Sequence, residues 1–136
     1  MIECLILGDS IAKGVSDVRK DCVAHVRSGI NSHDYVNRHL LYTAGDTRAR
    51  TVIISLGSND TKNINTFEEL HTLRQLVSAD RVYWIIPNIK ETKRRAVWDV
   101  ARRYNDWVID ARSYDRSPDT VHPTYSGYRA MGKDLR

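Results

Sequence analysis

The 136-residue sequence predicts an α/β protein: a three-layer α/β/α sandwich around a central, mostly parallel five-stranded sheet. Two observations carry this expectation. Short apolar runs such as Cys4-Leu5-Ile6-Leu7 and Val52-Ile53-Ile54 suit strands covered on both faces, and segments with apolar residues at helical spacing alternate with them. No linker, repeat or low-complexity tract interrupts the alternation, so residues 1–136 read as a single domain, and 41% apolar residues suffice for a core.

The elements follow in order. Strand one covers Glu3 to Leu7, and a short helix or loop begins at Ile11. Cys22 to Val26 reads as strand two and Asp34 to Tyr42 as a helix. Thr51 to Leu56 supplies strand three, followed by a helix around Thr66 to Val77. Strand four, Arg81 to Ile86, is stopped by Pro87, which has no N–H to continue a ladder. Lys90, Lys93, Arg94, Arg95, Arg102 and Arg103 surround apolar residues at helical spacing, Val97, Ala101, Tyr104 and Val108, giving an amphipathic helix from Glu91 to Asn105 with a basic, solvated outer face. Trp107 to Ala111 is strand five, and Tyr125 to Leu135 a closing helix. Trp84, Trp98 and Trp107 are expected in core or helix–sheet packing, where large rings stabilise by burial. Cys4 and Cys22, both in apolar surroundings, are expected as buried free thiols.

Chemistry concentrates where strands end. The first apolar run delivers Gly8-Asp9-Ser10, and the late segment Asp119-Thr120-Val121-His122-Pro123 sets an acid three residues ahead of a histidine. A serine hydroxyl is a weak nucleophile until a base takes its proton, and the base works best when a third group fixes its orientation. Ser10, His122 and Asp119 fit those roles; Asp9 adjoins Ser10 too closely to reach around it to the histidine. Taken alone, Ser10 would better suit a helix cap, and only the other blocks reverse that reading. Strand three runs into Gly57-Ser58-Asn59-Asp60, and loops after parallel strands share one rim, so Asn59 can meet Ser10 and donate to a developing oxyanion. Asn59 also suits a turn, and the two roles are compatible. Tyr125 and Tyr128, close behind His122, are expected to border the site, whereas His25, His33, His39 and His71 read as structural or exposed.

These blocks resemble the GDSL or SGNH hydrolase family. Gly8-Asp9-Ser10 is similar to its nucleophile block, Arg27-Ser28-Gly29 to its glycine block, Gly57-Ser58-Asn59-Asp60 to its asparagine block, and Asp119 to Thr124 to its acid and base block, all in the family's order. The sequence departs from the pattern at Ile11, where leucine is common. The resemblance implies a flavodoxin-like architecture and a serine esterase without metal or organic cofactor. It also implies an oxyanion hole built from the N–H groups of Ser10 and Gly29 with the Asn59 side chain. An alignment through Gly29-Ile30-Asn31-Ser32 would instead set Ser32 at the second N–H.

Within that class the expected substrate is a small acyl ester, O-acetyl in particular, borne on carbohydrate or an acetylated polysaccharide; a chain this short leaves little sequence for a lid. The net charge of +4 is read as a solvated basic face rather than a nucleic-acid surface. No run approaches the ~20 apolar residues of a membrane span, and Glu3 interrupts any leader pattern, so a cytoplasmic protein, or one released without a signal peptide, is expected. Two other classes stay open. Gly8-Asp9, Gly45-Asp46 and Gly57-Ser58-Asn59-Asp60 loosely resemble a two-metal phosphoesterase but lack its early Asp-x-His pair, and a non-catalytic carbohydrate-binding module can share the fold.

Overall fold

The computed structural model describes residues 1–44 and 47–136, except for the side chains of 41–44. Gly45-Asp46, part of the loose two-metal pattern, lies outside the described residues. Five strands, β1 Ile2–Gly8, β2 Val23–Val26, β3 Arg48–Ser55, β4 Ser78–Ile86 and β5 Trp107–Asp110, form an all-parallel sheet in the order β2-β1-β3-β4-β5. The helices are α1 Ser10–Val18, α2, α3 Thr66–Leu76, α4 Glu91–Arg103 and α5 Tyr125–Asp134; α2 opens as an α-turn, Ser32–Asp34, and runs on as a π-helix, Tyr35–Ala44.

Alternation along the strands sorts the helices into two layers. On one face Leu5 and Leu7 of β1 join Val52 and Ile54 of β3 and Trp84 of β4, under Tyr35 and Leu40 of α2, Leu70 and Leu73 of α3, and Val97 and Val100 of α4. On the other, Cys4, Ile6 and Ile53 meet Ile11 and Val15 of α1, Met131 of α5 and Leu135 just past its end. A parallel sheet buried on both faces needs apolar residues at successive positions, and β1 and β3 supply them.

The structure corrects several sequence expectations. Strands β3 and β4 begin three residues earlier than their apolar runs, because Arg48, Arg50, Ser78 and Asp80 extend the ladder beyond the core as an exposed fringe. Cys4 and Cys22 are a disulfide, not free thiols. The physical reason is register: Leu5 pairs with Val23, so the residue before each falls side by side, with Cα atoms 4.5 Å apart. Trp84 is fully buried, but Trp98 on the outer side of α4 and Trp107 on the edge strand β5 are 42% and 62% exposed. A helix against a sheet buries one stripe and an edge strand lacks a neighbour, so neither ring has a layer to enter. Arg94 leaves the basic face expected of α4 and turns inward, both Nη groups on the Asp110 carboxylate and Nη1 also on the Pro87 carbonyl.

Candidate active site

Gly8 ends β1 with φ +145°, and a Cβ there would overlap the Ser55 carbonyl of the neighbouring strand. Only glycine lets the chain turn this tightly against β3. Asp9 then caps α1, its Oδ1 accepting the Ile11 N–H at 3.0 Å. Because Asp9 takes the cap, Ser10 is the first helical residue and its side chain is left to other partners. Its Oγ lies 2.7 Å from His122 Nε2, and His122 Nδ1 lies 2.7 Å from Asp119 Oδ2. Ser10, His122 and Asp119, picked out from the sequence, thus form one hydrogen-bonded chain from the start of α1 to the loop before α5.

Asp119 and His122 share a single turn. Asp119 Oδ1 accepts the N–H groups of Val121 and His122, each at 2.9 Å, and the Ser117 hydroxyl at 3.1 Å. These bonds, led by the His122 N–H and then its ring, hold the Asp119 carboxyl well below the usual carboxylate range. Thr120, between acid and base, takes φ +64°, an uncommon conformation for a β-branched residue, and the Asn88 amide donates to its carbonyl at 2.6 Å. Asp119 and His122 retain 53% and 39% of their side-chain exposure, so the rim is open to solvent around them.

Opposite this turn stand the two other loops. Gly29, at φ +80°, has open space where a Cβ would lie, and its N–H, like that of Ser10 at the start of α1, has no acceptor among the described residues. Ser32 differs: its N–H donates to Asp60 Oδ1 at 2.8 Å and its hydroxyl to Oδ2. The alternative alignment through Ser32 therefore offers a donor already in use. Asn59 occupies a turn closed by the Asp60 N–H on the Gly57 carbonyl, and its amide donates to the Ile30 carbonyl at 3.0 Å, tying the asparagine loop to the glycine loop. An amide nitrogen carries two hydrogens, so one bond leaves a second donor.

The fold has many counterparts among solved structures, at low sequence identity. A carbohydrate acetylesterase family member from Sinorhizobium meliloti shares 14% identity at a TM-score of 0.68, over 98% of this chain and 95% of that one. A member of the lipolytic G-D-S-L family from Veillonella parvula shares 16% at 0.62, over 98% and 95%. The protein YXIM of Bacillus subtilis shares 14% at 0.70, and the chain spans 54% of its length. No family model and no curated protein sequence matches the chain. This is the SGNH-hydrolase fold. In the SGNH frame the sequence blocks stand after β1, β2 and β3 and on the loop before α5, so the sheet gathers them on one rim.

Several supporting residues were not legible in the sequence. Asp60 also accepts the Thr66 hydroxyl at 2.7 Å and so joins the starts of α2 and α3 to the asparagine loop. Ser117, whose hydroxyl touches Asp119 and the His122 carbonyl, and Asn88 steady the acid–base turn. The turn-forming composition of Ser117-Pro118-Asp119-Thr120 was the available signal. Burial pushes the Asp9 carboxyl up to about 7, against the lowering effect of its bonds to α1 and Ser55. Tyr128 packs against Gly14 of α1, and burial, with the Asp9 and Asp119 charges, raises its hydroxyl to about 12; Tyr125 points to solvent. His33 pairs with Glu69, and His71 lies between the Phe67 and Tyr104 rings. Among the described residues, no three His, Cys, Asp or Glu side chains gather as a metal-holding group, and no helix is long and apolar enough to cross a membrane.

Proposed function

We propose that the chain is a serine-dependent ester hydrolase acting on short acyl groups, O-acetyl on carbohydrate in particular. The observation that carries this reading is the continuous chain from Ser10 Oγ through both nitrogens of His122 to Asp119. Ser10 Oγ attacks the acyl carbon while His122 Nε2 takes its proton, and Asp119 accepts the Nδ1 hydrogen and stabilises the imidazolium. The oxyanion forms against the N–H groups of Ser10 and Gly29 and the Asn59 amide. His122 then returns the proton to the departing alcohol, leaving an acyl-serine, and water repeats the cycle to release the acid and free Ser10. The small acyl group is favoured by the open rim and by the acetylesterase name of the Sinorhizobium meliloti neighbour.

The test is labelling by a fluorophosphonate together with a panel of 4-nitrophenyl esters of increasing chain length, kept below micelle-forming concentrations. Expected are a covalent adduct on the Ser10 peptide, loss of turnover by several orders of magnitude in Ser10→Ala, and higher kcat/KM for acetyl than for octanoyl. Near-native turnover in Ser10→Ala would remove the serine mechanism. A preference for octanoyl would remove the short-acyl assignment.

A further inference from the structure

Beside the oxyanion loop the rim carries a feature that the acyl-transfer machinery leaves unused. A cleft of about 460 Å³ is lined by Arg27, Gly29 and Ile30 from the loop after β2 and by Asp34, Arg38 and His39 from α2. Its loop wall is continuous with the site: the Arg27 N–H donates to the Gly8 carbonyl at 2.9 Å, two residues before Ser10, and the Ile30 carbonyl accepts from Asn59. Gly29 leaves the passage between them open. A cleft of this volume lies in the range of roughly 300–1,000 Å³ that small-molecule sites occupy, well beyond the needs of an acetyl group alone.

Its charge is unbalanced. Three arginines elsewhere are each matched to a carboxylate by two bonds, Arg19 to Asp21, Arg74 to Asp106 and Arg94 to Asp110. The exposed Arg27 guanidinium has no partner among the described residues. Arg38, 78% exposed, approaches Asp34 only through Nε at 4.0 Å, and the other Asp34 oxygen already accepts the Asn31 amide. The field is felt locally: burial first, then the charges of Arg27 and His25, hold the His39 imidazole below its ordinary range. Among the described residues that line the cleft, two guanidiniums against one carboxylate leave a single positive charge, which suits a monoanion better than a dianionic phosphate. The planar fork of a guanidinium matches a carboxylate bidentately.

We infer that this cleft binds the carboxylate of an acidic ester substrate of hexuronic-acid size, with Arg27 and Arg38 as specificity-determining residues. The inference rests on the ester-hydrolase reading for its place in turnover, but the binding site is measurable without it. The experiment compares monoacetylated galacturonic acid with monoacetylated galactose in the native protein and in Arg27→Gln/Arg38→Gln, with circular dichroism confirming that both fold. Expected is a preference in kcat/KM for the acidic ester of about tenfold, the scale of one charged hydrogen-bonded contact. That ratio collapses toward one in the double variant, and shrinks as salt is raised because the guanidiniums are exposed. A ratio near one in the native protein, or one that survives the double substitution, overturns the inference. Calorimetry with free galacturonate separates the two readings. Binding that the double variant loses, in a protein that cleaves no ester, sinks the hydrolase and keeps the cleft; cleavage of neutral esters without galacturonate binding does the reverse. Tighter binding of galactose 6-phosphate than of galacturonate overturns the assignment to a carboxylate.

Discussion

Asp9 caps α1 with one carboxylate oxygen and buries the other, Oδ2, without a hydrogen-bond partner among the described residues. Its folded-state pKa of about 7 lies above the unfolded value of 3.8, so between those values the native state holds a proton that the unfolded chain has lost. Stability therefore falls as pH rises through this window, by up to a few kcal/mol. Asp9→Asn keeps the cap and cannot ionise, so its melting temperature should match wild type near pH 4 and exceed it at pH 8. Parallel melting curves for the two proteins across that range would refute the account. Asn59 invites a sharper substitution. Asn59→Asp preserves a turn residue but sets a carboxylate at the proposed oxyanion position, so kcat should fall by about 10²–10³ or more with KM little changed. Wild-type kcat with a normal melting temperature would leave Asn59 as a turn element only.

At the scale of elements, the Asp60 carboxylate joins three segments: the asparagine loop, the start of α2 through Ser32 and the start of α3 through Thr66. Ser32 and Thr66 are buried, so Asp60→Ala strands their donors and should cost about 3 kcal/mol, read as a lower urea midpoint at unchanged slope. A shift within error would mean that water replaces the carboxylate. Much of the architecture was legible because β1, β3 and β4 are apolar over successive residues, a pattern that survives without knowledge of neighbours. The blocks around Ser10, Asn59 and His122 were legible for a related reason, each being a short run beside such a strand or before a helix. What escaped depends on register and orientation. The Cys4–Cys22 bond requires knowing that Leu5 faces Val23, and the inward turn of Arg94 requires knowing that Asp110 ends the neighbouring strand. Trp98 shows the same limit: the Val97–Ala101 stripe read from the sequence does meet the sheet, but Trp98, one residue round the helix from it, stays partly exposed.

Taken as a whole, the molecule is fastened unevenly. The sheet interior is apolar on both faces, and the disulfide, joining residues 18 apart in sequence, withdraws loop entropy from the unfolded chain worth about 3 kcal/mol. The acid–base turn has no such backing. Ser117 N–H to the His122 carbonyl, Thr124 N–H to the Asp115 carbonyl and the Asn88 amide to the Thr120 carbonyl hold it at a solvent-exposed edge. Segments with few buried apolar contacts open locally at lower free energy than the global transition. Warming should therefore uncouple His122 from Ser10 while the strands are still paired. Esterase activity, assayed at each temperature, is expected to disappear several degrees below the unfolding transition seen by circular dichroism, and to return at once on cooling from that interval. Coincident loss of activity and ellipticity would mean that the turn and the sheet melt as one unit.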